Sequence, residues 1–270
     1  MRNVRCVNEL AGIDAATVGV LGFTAKDHTP RAIAVTPYVV EGTATVTTML
    51  ALLTKAQMLR NRPAAALYAG GTHVHGDVAV EMHDDPAWFD QHIRHQELAK
   101  YPPAKTLLTI PFHRRVLWWY VGRVAMVFEL PTIIERPGSD RVTLTSVVDG
   151  GVQIIPLAAD LDVDCVGVGD HVDLGAPAPD GPACLLVHHE TAGMAELLSL
   201  TLRGSVRDGR LDVAERRGSV TPQHPGALDQ LRSLRALAQS AKANRPIINA
   251  WAERTPTPST NVTNVNGATP

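Results

Sequence analysis

Three residues lying close together in this sequence carry side chains of the kind that hold a phosphate. Thr47 and Thr48 end a β-branched run, and Lys55 stands in the Gly- and Pro-free stretch from Met49 to Arg60 that follows. Leu, Ala, Met and Gln make that stretch helical. The free N–H groups of its first turn then fall next to the two hydroxyls, with the ammonium one to two turns further on. N-terminal N–H groups, hydroxyls and a cation together suit an oxyanion. Arg31, at the start of the strand paired with the Thr47 strand, adds a guanidinium. A lysine facing solvent from an amphipathic helix would leave the same pattern. Lysine is scarce, however: Lys26, Lys55, Lys100, Lys105 and Lys242 are the only five among 25 basic residues. Codon bias toward arginine accounts for the scarcity but not for the position of Lys55.

Histidines offer a competing chemistry. His73 and His75 alternate on a strand and so face one side. His92 and His95 are i, i+3 on a helix and share a face. His188-His189-Glu190 forms a third group. Paired imidazoles suit a metal ion or haem, or simply a polar strand or helix face, and no HExxH or cysteine spacing accompanies them. Trp118-Trp119-Tyr120 is the one dense aromatic group. It reads as core, or as a wall for a flat ring. The absence of a Gly-rich phosphate loop, a GxSxG elbow and a CxxC pair argues against kinase, hydrolase and thiol-redox classes.

The elements that must position these residues are mostly strands. Thr17–Thr24, Arg31–Val40 and Thr43–Thr48 are β-rich, with Glu41-Gly42 turning the last two into a hairpin. Ala64–Ala69 and Thr72–Glu81 flank Gly70-Gly71, a second hairpin. Asp84-Asp85-Pro86 starts a helix that stops before Pro102-Pro103. His113–Phe128 reads as one long strand or a pair bulged at Gly122. Val142–Val148 and Val152–Leu157 flank Asp149-Gly-Gly151. Ala183–His188, Ser199–Asp208 and Arg210–Arg216 are strands, with a helical start at Met194–Leu200. Ala227–Glu253 is helical, striped by Leu228, Leu231, Leu234 and Leu237 and interrupted at Pro246. Thr255–Pro270 reads as a disordered tail, and its Asn261-Val-Thr263 sequon as chance.

Composition narrows the class. The chain has 270 residues, 29.0 kDa, a net charge of −2 and 45% hydrophobic residues. Such balance gives no general attraction to nucleic acid or an anionic membrane, and there is no run long enough to span a bilayer. Cys6, Cys165 and Cys184, odd in number and unpaired in spacing, fit a reducing compartment. The expectation is a cytoplasmic globular protein.

A weak repeat relates Pro63-Ala-Ala-Ala-Leu67 with His75-Gly76-Asp77-Val78 to Pro182-Ala-Cys-Leu-Leu186 with Arg203-Gly204-Ser205-Val206. It points to duplication. The segment from Pro30-Arg31 to Val80 also resembles the pyridoxamine-phosphate-oxidase-like, or flavin/deazaflavin oxidoreductase, split-barrel superfamily. In that family a strand pair ends in a Thr-containing turn, and a helix bearing a Ser/Thr-x-Lys or Arg-Lys element follows. Eight residues after the Lys a proline opens the next strand, then a hairpin leads into a strand closing on Gly. The matching residues are Thr47, Thr48, Leu53-Thr54-Lys55, Pro63 and His75-Gly76, within residues 15–100. Arg62 replaces the family's Asn, and Gly71 falls near the place of its cofactor-contacting Gln, so vitamin B6 oxidation is not the expected reaction.

The resemblance implies a mainly β (α+β) fold: a six-stranded, FMN-binding-type split β-barrel, duplicated in one chain if the repeat is real, with flanking helices. Residues 1–130 would carry the cofactor motif, 131–254 a second β-rich half and the C-terminal helix, and 255–270 the tail. It implies a flavin (FMN) or deazaflavin (F420)-dependent oxidoreductase acting on a small molecule. The cofactor would sit between two barrels, as a homodimer or an intrachain pseudo-dimer. Arg31, Thr47, Thr48 and Lys55 would hold its phosphate, and His73 and His75 would line the pocket. The second half has no lysine between Lys105 and Lys242, which implies one cofactor site per chain. The alternative is a non-catalytic barrel that binds haem, a metal ion or a cofactor.

Overall fold

The computed structural model describes residues 9–161, 163–191, 194, 196–222 and 227–252. The expected tail and Asn261 lie outside these, as do the side chains of Leu228 and Leu231. The strands form two antiparallel sheets. The first contains β1 (Gly19–Thr24), β2 (Pro30–Val35), β3 (Pro37–Val40), β4 (Thr43–Met49), β5 (Ala64–Ala69), β6 (Thr72–His83) and β7 (Arg123–Glu135). The second contains β8 (Val142–Val148), β9 (Gly151–Pro156), β10 (His171–Asp173), β11 (Gly181–Glu190), β12 (Leu197–Arg207) and β13 (Arg210–Ser219). Helices α1 (Ala11–Ala15) and α2 (Thr54–Asn61) serve the first sheet.

The order of the first sheet is β2-β1-β5-β6-β7-β4-β3. Its two edge strands are consecutive in the chain, with only Thr36 between them. A sheet whose opposite edges are joined by one residue must curl until those edges meet. The result is the split barrel, six-stranded when β2 and β3 count as one strand bent at Thr36. Pro37 causes the bend, since it has no N–H for the ladder and its ring restricts Thr36. This corrects the reading of Arg31–Val40 as one strand. Arg31 sits on β2, which pairs with β1, while only Pro37–Val40 pairs with the Thr47 strand.

The barrel interior is Leu21, Phe23, Val46, Leu67, Val74, Met126 and Phe128, into which α2 packs Ala56 and Leu59 and the residue before it, Leu53. Alternate residues of the same strands, Val20, Ala66 and Tyr68, face outward and meet Val152, Ile154, Cys184 and Leu186 of the second sheet. Strand alternation thus builds two cores at once. The sheets approach closely at Gly22, where a Cβ would lie 2.8 Å from Thr145 Cγ2. The second sheet has the order β10-β13-β12-β11-β8-β9. The weak repeat falls on comparable hairpins, β5–β6 and β11–β12. Each second strand is irregular at its glycine, between His75 and Asp77 and between Arg203 and Gly204.

Between β6 and β7 the chain makes five short helices: α3 (Pro86–His92), α4 (Arg94–Lys100), α5 (Pro103–Leu108), α6 (His113–Val116) and α7 (Trp118–Val121). The long strand expected over His113–Phe128 is therefore wrong up to Gly122. A helical turn enclosed by its neighbours buries Trp119, Tyr120 and Val121 in one cluster with Phe89 and Ile93, and this packing overrides the strand preference of aromatic residues. Asp85 does cap α3, accepting from Ala87 N–H at 2.8 Å. At the C-terminus, α8 (Ala227–Ala243) and α9 (Arg245–Ala252) break at Asn244, two residues before Pro246. Leu234, Leu237 and Ala241 of α8 pack onto the helical cluster. Residues 197–200, expected to be helical, belong to β12. No helix among the described residues is long and apolar enough to cross a membrane.

Candidate functional site

Lys55 lies in the first turn of α2, not one to two turns into a helix from Met49. Residues 50–53 are held out of the helix by other bonds. Leu50 N–H donates to Trp119 O at 3.1 Å. Thr48 Oγ1 donates to Leu52 O at 2.9 Å, and Asn244 Nδ2 to Leu50 O at 2.9 Å. The start of α2 has no side-chain cap, so its first N–H groups keep their donor capacity. Lys55 itself is half-buried, and its ammonium has no hydrogen-bond or ion-pair partner among the described residues. Burial, and then the charge of Arg123, push its pKa down to about 8.

Two cavities meet at this lysine. One, of about 380 Å³, lies between the sheets and is lined by Lys55, Thr54 and Arg31 from the barrel and by Cys184, Thr201, Arg203 and Arg217 from the second sheet. Arg31 is 3.5 Å from Asp27, and Arg203 and Arg217 share Glu215. Three guanidiniums thus face two carboxylates before Lys55 is counted, an excess of positive charge. Arg203 and Arg217 escaped sequence reasoning. The one trace of them was Arg203-Gly204 standing opposite His75-Gly76 in the repeat.

The other cavity, of about 340 Å³, is lined by Thr47, Thr48, Lys55, Tyr101, Trp119 and Arg123, with Leu234 and Leu237 of α8. A buried ionic network forms part of its wall. Arg123, 3% exposed, donates from Nη2 to Glu97 Oε1 at 2.9 Å. Tyr120 OH donates to the same oxygen at 2.5 Å, and Tyr38 OH to Glu97 Oε2. Burial and the Glu97 charge raise both tyrosine pKa values. Arg123 also stacks over Tyr120, 4.6 Å from the ring centroid. Of these network residues only Tyr120 was singled out from sequence, as part of the aromatic group, and not as an ionic partner. Arg123 and Glu97 are 26 positions apart and meet only through the helical insertion. Trp119 is buried in the core and also lines this cavity.

The structure therefore brings Thr47, Thr48 and Lys55 to one cavity and Arg31 and Lys55 to the other. His73 and His75 line neither. Their rings do share a side, with centroids 5.3 Å apart, but that side faces the second sheet. His73, 2% exposed, accepts Ile154 N–H at Nε2 over 3.3 Å. Burial, then Arg136 and His75, push its pKa down to about 4. His92 and His95 are separated by a break at Ile93. His92 bonds Trp88 O at 2.9 Å, and His95 is exposed. His188 is buried beside the Asp140 backbone, and neither ring nitrogen makes a well-formed hydrogen bond among the described residues. Among the described residues no group of three His, Cys, Asp or Glu side chains is arranged to hold a metal ion.

No family model and no curated protein matches the chain. Solved structures do overlap it. A NimC/NimA family protein from Clostridium acetobutylicum is 14% identical, covers 48% of this chain and 88% of its own, and has a TM-score of 0.34. An F420 reductase is 18% identical over 47% of this chain and 96% of its own, with a TM-score of 0.33. A pyridoxamine 5'-phosphate oxidase-related, FMN-binding protein from Nostoc punctiforme is 12% identical, covers 75% of this chain and 95% of its own, and has a TM-score of 0.28.

Proposed function

We infer that this protein binds a phosphorylated flavin or deazaflavin, FMN or F420, and acts as an oxidoreductase on a small molecule. The observation that carries the reading is the half-buried Lys55 ammonium, without a counter-ion among the described residues, at the uncapped start of α2 and beside Arg31, Arg203 and Arg217. A phosphate there would supply the missing negative charge and accept from the free N–H groups. The residues present thus fit the phosphate end of either cofactor. Bound, the cofactor would carry the hydride, and the protein would supply orientation and electrostatics. Arg31 and Lys55 would hold the phosphate from the barrel side, and Arg203 and Arg217 from the second sheet. Thr48, whose hydroxyl is bonded to Leu52 O, would order the turn ahead of α2. Thr47 would contact a ligand in the neighbouring cavity.

This placement supports one cofactor site per chain, formed by two sheets of the same chain in the manner of an intrachain pseudo-dimer. His73 would serve the contact between the sheets, with His75 beside it. The test is a fluorescence titration of the purified protein with FMN and with F420. Saturable binding below ~100 μM, about −5.5 kcal/mol, is expected for one of them, with one site per chain. Arg203→Ala should weaken it at least about tenfold, the loss of a charge-assisted bond to phosphate. Binding of neither cofactor below that concentration would remove the reading.

A further inference from the structure

The cavity behind Lys55 has its own chemistry. Glu97 is fully engaged by Arg123, Tyr38 and Tyr120, so its charge is already matched and the Lys55 ammonium is the unmatched charge of this wall. Thr47, half-buried on the same wall, makes no side-chain hydrogen bond among the described residues. Arg123 Nε, buried in the same place, also lacks an acceptor. Polar donors without acceptors thus gather at one end. Thr36, Thr48 and Tyr101 also line the cavity, and Trp119, Leu107, Leu234 and Leu237 form the apolar part of its wall. Leu52 and Leu197, two more lining residues, are 47% and 38% exposed. Their open side chains extend the apolar part of the cavity wall that an apolar body would cover. The volume of about 340 Å³ falls at the low end of the ~300–1,000 Å³ typical of small-molecule sites.

We propose that this cavity binds a monoanionic organic acid, a carboxylate carried on an apolar chain, with the carboxylate seated on Lys55 and Thr47 and the chain lying along Trp119 and Leu237. One negative charge is the number the wall calls for. A second would approach the Glu97 carboxylate with no cation left to offset it. The site goes beyond the cofactor reading. Lys55 lines both cavities, so a carboxylate in this one and a phosphate in the other would draw on the same single charge.

The experiment is calorimetric titration of the full chain with octanoate, with 1-octanol and octylamine as equal-length probes. Saturable binding of octanoate at one per chain is expected, with both controls at least ~10-fold weaker. Thr47→Val keeps the shape and removes the hydroxyl, and should weaken octanoate about 3- to 10-fold. Leu237→Glu sets a like charge in the wall and should abolish octanoate binding, while Leu237→Gln, read with it, keeps at least part. Circular dichroism verifies that each variant is folded, and Thr47→Val alone decides if the Leu237 variants are not. Octanol binding as well as octanoate, no saturation up to ~5 mM, or octanoate affinity unchanged in Thr47→Val would overturn the proposal. FMN and F420 titrations of the same samples separate the two readings. Octanoate binding without cofactor binding removes the oxidoreductase and keeps the acid site. Cofactor binding without octanoate binding does the reverse.

Discussion

Two lysines of this protein share a pKa pushed down to about 8 by burial, Lys55 and Lys100. Their surroundings differ in kind. Lys100, at the end of α4, donates to Pro37 O at 2.7 Å and Ile13 O at 3.1 Å and sits 5.7 Å from the Tyr38 ring centroid. Its donors are engaged, and it ties the helical insertion to β3 and α1. Lys55 has burial without partners among the described residues, and a second cation, Arg123, for a neighbour. A buried ammonium that finds carbonyls serves the fold. One that finds none is costly to keep, and a ligand is what would offset the cost.

Breaking the structural side of this comparison should have the largest effect. Glu97 is the anion of the network that Lys100 adjoins, so Glu97→Ala leaves Arg123 buried and unpaired. A loss of about 3–5 kcal/mol in unfolding free energy is expected, read by urea denaturation. Lys100→Met should come next, leaving two buried carbonyls without a donor. Its expected loss is about 2–3 kcal/mol. Lys55→Met should do the opposite in ligand-free protein, holding or raising the melting temperature while ligand binding falls. Equal destabilisation by Lys55→Met and Lys100→Met would break the comparison.

The pH dependence sharpens it with a smaller effect. A lysine whose pKa is about 8 folded and ~10.4 unfolded carries a burial penalty in full below pH 8. The unfolded state binds more protons between these values, so stability rises with pH across that window. Lys55→Met should flatten the rise. Octanoate affinity should fall over the same range as the ammonium is lost. His73, at about 4 in the folded chain against ~6.5 unfolded, has the same sign in acid. Its contribution is present above pH 6.5 and lost as pH falls toward 4. His73→Leu should blunt that loss, measured by melting temperature between pH 7 and 4.

Much of the barrel is readable because its turns are local. Glu41-Gly42, Gly70-Gly71, Asp149-Gly150 and Asp208-Gly209 each place two residues at positive φ, the geometry of a tight hairpin, and each is visible as a dipeptide. The Thr36–Pro37 bend is equally local but hidden inside a run of β-formers, where the proline was the signal. Residues 113–121 misled because the partners that make them helical, Phe89, Ile93 and Glu97, lie one insertion away. The site divides along the same line. Thr47, Thr48 and Lys55 are neighbours in sequence and could be found. Arg203 and Arg217 reach the cleft from a different sheet, and Lys100 finds its acceptors 63 and 87 positions away, so neither role leaves a local mark.

The central claim is that the Lys55 ammonium is held for an anion. The most direct measurement is titration of FMN and F420 into the wild-type chain and Lys55→Ala, at one ionic strength, with thermal melts of both in the absence of ligand. Wild type should bind one cofactor per chain below ~100 μM. Lys55→Ala should bind it at least about tenfold more weakly with an unchanged or higher melting temperature. Unchanged affinity, or a lower melting temperature that matches the loss of binding, would contradict the account.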